Sequence, residues 1–257
     1  MSAIKTAAKS CAVLLLGRET RPRKILTGLA SGYHICVSPT EHLGYLFGTD
    51  ERHLQRAIRK YVNAGDTVYD IGANVGYVSL SLAKRVGPSG RVISFEPVPA
   101  NIKAFRQNME INYLTNVQLI EAAVSDAAGE TIIRIAGNLS MASLVWHRND
   151  PSATEISVRT VSIDDLPEAG DLLHPAFVKI DVEGAEAAAL HGMCRTIAAA
   201  RPVVFVECSE AGRARTWDLL QGLDYRCQSA ITEKWIDAFD EYRHSDFLWL
   251  PQNKTSG

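Results

Sequence analysis

An excess of positive charge is the first thing this sequence lacks: 27 Lys and Arg stand against 29 Asp and Glu, a formal net charge of −2 over 257 residues. Proteins that neutralise phosphates along DNA or RNA carry a basic footprint, so no nucleic-acid partner is expected. Paired cysteines are missing too. Cys11, Cys36, Cys194, Cys208 and Cys227 stand singly, without the C-x-x-C spacing of a zinc site or a redox couple, so reduced and mostly buried thiols are expected. No long apolar run occurs. Cys11 to Leu16, preceded by Lys5 and Lys9, lacks a small-x-small cleavage signal after it and falls far short of the ~20 residues that span a bilayer. A cytoplasmic protein with no transmembrane segment is the expectation. Repeats and low-complexity stretches are absent as well.

What is present is an ordinary globular composition, 46% hydrophobic and 22% charged, enough to build one sizeable core. Residues 1–64 read as an N-terminal appendage of helix and strand that covers the substrate side. It holds a helix near the start, the basic stretch Arg18, Arg21, Arg23 and Lys24 as a solvated surface, a strand at Tyr33 to Val37, and a helix from Asp50 to Val62. That last helix follows from Leu54, Ala57, Ile58 and Tyr61 at helical spacing. From residue 65 to 257 strand and helix signals alternate, the mark of a parallel sheet covered on both faces. Strands are expected at Thr67 to Ile71, Arg91 to Phe95, Val117 to Val124, Phe177 to Val182, Val203 to Val206, Tyr225 to Cys227 and Phe247 to Leu250. Helices fall at Val75 to Val86, Ala100 to Asn112, Ala185 to Ala200 with an interruption at Gly192, and Ala211 to Gln221. The rhythm breaks at Thr131 to Ile135 and Ile156 to Val161, which read as an inserted hairpin. Asn138 to Leu144 between them is expected to overhang the site as part of a lid.

The segment Asp70-Ile71-Gly72-Ala73-Asn74-Val75-Gly76 places glycines at the carboxyl end of the first sheet strand, where open α/β sheets bind ligands. Gly72 and Gly76 permit a sharp turn and a close backbone approach. Asp70 at the strand tip suits a cationic ligand, an ammonium or a sulfonium, better than a pyrophosphate. The next strand ends in Phe95-Glu96-Pro97, and Glu96 is placed to accept hydrogen bonds from ribose hydroxyls. Neither G-x-G-x-x-G nor G-K-[ST] follows the first strand, and Asn74 stands where a diphosphate would need room. Ser125 and Asp126, in the turn after the third strand, can face an adenine amino group or simply end the strand.

Taken with Asn101, Asn108, Ala123-Val124-Ser125-Asp126 and Lys179-Ile180-Asp181-Val182-Glu183-Gly184-Ala185-Glu186, these blocks resemble the FkbM-type methyltransferases across roughly residues 65 to 210. The resemblance implies a class I methyltransferase fold, Rossmann-like and α/β, with a mostly parallel seven-stranded sheet whose last strand runs antiparallel. It implies S-adenosyl-L-methionine as cofactor and methylation of a hydroxyl on a small molecule, glycan or secondary metabolite. By matching motif it gives Asp70, Gly72, Asn74 and Gly76 to the methionine part, Glu96 to the ribose and Asp126 to the adenine end. An NAD-dependent oxidoreductase and a non-catalytic nucleoside-binding module are the alternatives.

An alcohol attacks a methyl group only as its proton leaves, and a placed base contributes about 10²–10⁴-fold. Asp181 and Glu183, sharing one face if the strand alternation continues, are the expected catalytic pair; no metal ligand set is assigned. Lys179 reads as a charge partner for a neighbouring carboxylate, and Glu207 as an acid at the site edge. His147 and His191 read as surface residues, the four tryptophans as core. Neither the acceptor nor the oligomeric state is written in a readable motif.

Overall fold

The computed structural model describes residues 17–135, 154–166, 174–182, 184–208, 212–238 and 244–252. The expected first helix, Cys11, Trp146, His147, the lid segment Asn138 to Leu144 and Glu183 lie outside them. Among the described residues no helix is long and apolar enough to cross a membrane.

A short antiparallel pair, β1 (Arg21–Lys24) and β2 (His34–Val37), opens the fold. Helix α1 (Pro39–Leu46) follows, started by Pro39 behind an N-cap Ser38, the placement at which proline's missing N–H costs nothing. Helix α2 (Arg52–Tyr61) buries Leu54, Ala57 and Ile58 on one face and ends with Arg59 and Lys60, basic residues that suit its negative pole. The main sheet then begins with β3 (Thr67–Ile71), α3 (Tyr77–Val86), β4 (Arg91–Phe95), α4 (Pro99–Glu110) and β5 (Val117–Ile120). After it come β6 (Ala123–Val124), β7 (Gly129–Ile135) and β8 (Thr154–Val161), which form their own three-stranded sheet. The rest is β9 (Phe177–Ile180), α5 (Glu186–His191), α6 (Cys194–Ala200), β10 (Val203–Glu207), α7 (Arg213–Gly222), β11 (Tyr225–Ser229), β12 (Trp235–Ile236) and β13 (Asp246–Pro251).

The large sheet has the order β12-β11-β13-β10-β9-β3-β4-β5. β3, β4, β5, β9 and β10 run parallel, and β13 is antiparallel to both β10 and β11. The expected antiparallel last strand is therefore present, and the two-residue β12 adds an eighth strand at the edge. The strand expected from Val117 to Val124 is divided: β5 stays in the main sheet, while β6 turns away to pair with β8. The expected hairpin is β7 against β8, with Ile133 opposite Ile156. Gly192 separates α5 from α6, as the sequence suggested.

Alternation along the strands sorts side chains into two cores. Tyr69, Ile71, Phe95 and Ile180 pack under α5, α6 and α7 with Leu190, Met193, Ile197 and Leu220. Val68, Val92, Phe177 and Phe205 face α2 and α3 through Leu54, Ile58, Leu82 and Val86. The N-terminal segment adds a third core, in which Ile25, Ile35, Val37 and Leu46 meet Val75, Tyr77, Leu80, Phe105 and Met109.

Because β3 lies between β4 and β9, the chain leaves it toward opposite sides, which opens a crevice at the carboxyl ends of these strands. Asn108, fully buried on α4, ties the N-terminal segment to that crevice. Its Oδ1 accepts from the Cys36 N–H at 2.7 Å and its Nδ2 donates to the Val75 carbonyl at 2.8 Å. Asn108→Leu strands a buried donor and a buried acceptor, each costing about 1–3 kcal/mol. A loss of about 2–4 kcal/mol in denaturant unfolding is expected.

Candidate active site

One row of side chains crosses the sheet just below the crevice. Asp70 on β3 is the register partner of Ser94 on β4 and of Lys179 on β9, so the three point to one face at one level. Asp70 is fully buried. Its Oδ2 accepts from the Ser79 hydroxyl at 2.6 Å, and Ser79 shares a second hydrogen bond of 2.9 Å with Ser94. Lys179 Nζ stands 3.4 Å from Asp70 Oδ1 and 3.4 Å from Asp181 Oδ2, and it donates to the Gly72 carbonyl at 2.7 Å. Burial penalises this ammonium, but the carboxylates of Asp181 and Asp70 outweigh the penalty and hold its pKa above the ordinary lysine value. The expected role of Lys179 as a charge partner is thus seen twice over. Asp181 differs from Asp70 in being 29% exposed at its side chain.

The glycine loop sits on this row. Gly72 has φ +79°, and a methyl group there would stand 1.9 Å from the Asp181 carbonyl oxygen. Only glycine lets the loop lie this close to the end of β9. The N–H groups of Gly72 and Ala73 both donate to the Phe95 carbonyl at 3.0 Å, which binds the loop to β4. Asn74 takes φ +50°, and its N–H donates to Glu96 Oε2 at 2.9 Å. The Asn74 Oδ1 is buried without a hydrogen-bond partner among the described residues. Gly76, at φ +90°, opens α3, and a methyl there would press on Met109 and Phe105 at 2.8 and 2.9 Å. Its lack of a side chain serves the approach of α4.

Glu96 is 3% exposed. Besides Asn74 it accepts from the Val98 N–H at 2.9 Å and from Asn101 Nδ2 at 3.2 Å. Burial raises its pKa, and these hydrogen bonds oppose the rise. Each carboxylate oxygen has lone pairs to spare for a further donor. Ser125 lies at the far end of the crevice, its N–H given to the Val161 carbonyl and its hydroxyl to Asp126 at 3.0 Å. A methyl at Gly192 would stand 1.8 Å from the Ser125 carbonyl oxygen, so the break between α5 and α6 also seats this turn. Asp126 is exposed. The alternation that was to bring Asp181 and Glu183 together ends with β9 at Ile180.

A cavity of about 620 Å³ runs along these strand ends. Gly72, Phe95, Pro97, Ser125 and Val182 line its floor, and Ile133 and Arg134 of β7 its outer wall. Two acids absent from the sequence-based pair feel the charges of Asp181 and Lys179. Glu51, at φ 56° before α2, comes from the N-terminal segment, and burial pushes its carboxyl up to about 7, with Lys179 opposing and Asp181, Asp246 and Asp50 adding to the rise. Glu207 ends β10 opposite Asp246; burial, then Asp181, Asp246 and Glu51, raise its pKa as well. The Asp50-Glu51 pair ahead of a helix reads in sequence as a favourable first turn, and nothing there shows that the chain folds it over β9. Among the described residues no grouping of His, Cys, Asp and Glu has the make-up of a metal site. His191 is exposed, Trp217 and Trp249 pack edge to face in the core, and Trp235 is 46% exposed.

A crevice at the switch point of this strand order, with a glycine loop on one strand and a carboxylate at the tip of the next, defines a class I methyltransferase domain of Rossmann-like α/β architecture. Residues 70–230 match the family model described as the methyltransferase FkbM domain, and the chain belongs to that family of S-adenosylmethionine-dependent methyltransferases. It is similar to a hexuronic acid methyltransferase, AglP, of Haloferax volcanii, at 25% identity over 57% of this chain and 58% of that protein. A similar match, 25% identity over 57% of this chain and 59% of the relative, is to the 31-O-demethyl-FK506 methyltransferase FkbM of Streptomyces tacrolimicus. Methyltransferase 1 of Beauveria bassiana is 26% identical over 49% of this chain and 57% of its own length. The aligned chain thus spans between 57% and 59% of the length of these relatives. A solved FkbM methyltransferase of Methylobacillus flagellatus matches with a TM-score of 0.47 and 16% identity, over 82% of this chain and 54% of that one.

The residues present fit S-adenosylmethionine. The cradle at Gly72 closes if a side chain is added, and the cavity lies within the ~300–1,000 Å³ common for ligand sites. Gly72→Ala forces a clash of backbone with backbone at a positive φ; strain of this kind costs about 1–3 kcal/mol before the clash is counted. Calorimetry is expected to show S-adenosylhomocysteine binding lost in the variant. A second outcome concerns pH. The carboxyl of Glu51 is raised to about 7 in the folded chain, whereas an unfolded Glu titrates near 4.3, at about pH 4. The folded state therefore holds a proton that the unfolded state has released, and it loses stability as pH rises through this window. Glu51→Gln removes the loss, and its melting temperature is expected to exceed that of the unaltered protein by about 2–4 °C at about pH 8, with no gain at about pH 4.

Proposed function

We propose that this chain is an S-adenosylmethionine-dependent O-methyltransferase that acts on a hydroxyl group of a small molecule or sugar. The observation that carries this reading is Asp181, a partly exposed carboxylate held by a buried lysine against the glycine loop. The names of the similar proteins, one a hexuronic acid methyltransferase and one a methyltransferase of a demethylated FK506, favour a hydroxyl-bearing acceptor.

When bound, S-adenosylmethionine supplies a methyl group on a positively charged sulfur. Gly72 and Ala73 give their backbone to the floor of the cleft, and the buried Asn74 Oδ1 offers an acceptor for the amino-acid end. Gly76 acts by setting the helix behind the loop. Glu96 accepts from the ribose hydroxyls while clamping Asn74 and Asn101. The Ser125 turn, braced by Asp126, borders the adenine. Asp70 acts from behind, through Lys179, and its charge keeps that lysine in place. Asp181 orients the acceptor hydroxyl and takes its proton, with Glu183 the second carboxylate of the same segment. Alignment of acceptor and donor at near-attack distance supplies the larger share of the rate, ~7–11 kcal/mol.

Transfer of labelled methyl from S-adenosylmethionine to a panel of hydroxylated acceptors tests the reading. Asp181→Asn is expected to lower kcat by about 10²–10⁴-fold while S-adenosylhomocysteine binds within a few-fold of normal. Glu96→Ala is expected to weaken that binding by about 10–100-fold. Full turnover in the Asp181 variant, or a protein that binds NADH and not S-adenosylhomocysteine, would reject the assignment.

A further inference from the structure

Two fully buried hydroxyls, Ser79 in the first turn of α3 and Ser94 on β4, stand behind the crevice. A hydroxyl in such a place is costly unless it is hydrogen-bonded, and alanine would avoid the cost. Ser81, two residues on, bonds back to the Tyr77 carbonyl of its own helix at 3.3 Å, the usual recourse of a helical serine. Ser79 turns to the sheet instead. Its hydroxyl donates to Asp70 Oδ2 at 2.6 Å, and since a hydroxyl has one proton to give, Ser94 is the donor in the 2.9 Å bond between the two serines. The chain runs from Ser94 through Ser79 to one oxygen of Asp70, each bond polarising the next. The other oxygen, Oδ1, is buried without a hydrogen-bond partner among the described residues and meets Lys179 as a charge at 3.4 Å. Lys179 is short of donors. An ammonium has three N–H groups, and the carbonyls of Gly72 and Ile71 take two of them, at 2.7 and 3.3 Å. One remains for two carboxylates, Asp70 and Asp181, which stand at the same distance of 3.4 Å. Whatever Asp70 draws from that N–H, Asp181 loses.

We propose that Ser79 and Ser94 are positioning residues for methyl transfer: by supplying Asp70 from behind they leave the third N–H of Lys179 to Asp181, and so set how readily Asp181 takes the acceptor's proton. This rests on the methyltransferase reading, and the proton passes as it does there, from the acceptor O–H to the Asp181 carboxylate. A cation beside a carboxylate favours its charged form. Asp181 has to be ionised before the acceptor arrives, yet a carboxylate held too firmly by an ammonium is a poor base. A lysine shared between two acids meets both needs, and the serine chain fixes how it is divided. The other groups that face Asp181 are Glu51 ahead of α2, Glu207 at the end of β10 and the Tyr45 hydroxyl of α1. None of these is altered in the variants that test the proposal.

Carbon-13 spectra of the full chain, labelled at its aspartate carboxyl groups and with S-adenosylhomocysteine bound, follow the titration of Asp181, whose signal is identified by its loss in Asp181→Asn. Ser79→Ala leaves Asp70 Oδ2 to compete for the third N–H, and the Asp181 midpoint is expected to rise by about half a pH unit. Ser94→Ala should move it the same way by less. Asp70→Asn keeps an oxygen for Ser79 but gives up the charge, which releases Lys179 to Asp181 and is expected to lower the midpoint by about one pH unit. The acidic limb of kcat, for labelled methyl passed from S-adenosylmethionine to the hydroxylated panel, should follow each midpoint. A role in packing alone would not move Ser79→Ala and Asp70→Asn in opposite directions. Midpoints that stay still, midpoints that shift in the same direction in those two variants, or a kcat limb that ignores them overturn the proposal and leave the methyltransferase reading standing. Failure of S-adenosylhomocysteine to bind overturns the two together.

Discussion

A single buried ammonium holds the working edge of this protein together. Lys179 ties the central strand through Asp70, the glycine loop through the Gly72 carbonyl and the end of β9 through Asp181. Removing one partner of such a group leaves a buried charge uncompensated, which is among the costliest changes a core can suffer. The arrangement also explains why Asp70 is sealed off from solvent. A carboxylate at the tip of the first strand looks in sequence like a direct ligand contact; here its side chain is fully buried and stands against Lys179.

The N-terminal segment is bound to this edge by polar side chains as much as by its apolar core. Asn108 and Asn112 of α4 and its end reach across to the backbone of β2, and Gln55 gathers the turns at Leu29, Gly48 and Asp50. Buried amides of this kind are satisfied only in one geometry. They fix where the segment sits, and so where Glu51 meets the tips of β9 and β10.

Much of this was legible in the residues. Thr67–Ile71 and Arg91–Phe95 are short apolar runs bounded by turn formers and appear with the expected limits, because a buried parallel strand leaves little else that such a run can be. The break at Gly192 was visible, though its purpose, contact with the Ser125 carbonyl, was not. The division of 117–124 between two sheets escaped notice since Val117 to Val124 is uniformly strand-like, and pairing is decided by partners distant in sequence. Register escaped for the same reason: nothing local says that Asp70, Ser94 and Lys179 share a row. Glu51 was invisible because its turn is a product of tertiary packing. The candidate site residues themselves were named from motif order, and the structure adds which of them face the cavity, as Gly72 and Ser125 do, and which brace from behind.

The strand order has a consequence for how the molecule is assembled. β3, β4 and β5 find their neighbours in the order in which they are synthesised, and β9 and β10 are added on the opposite side of β3. β11 has no place to attach to the sheet until β13 arrives and slides between it and β10. The half that carries the glycine loop can therefore condense early on the ribosome, while the acidic half, where Asp246 enters with β13, is closed by the last of the described strands.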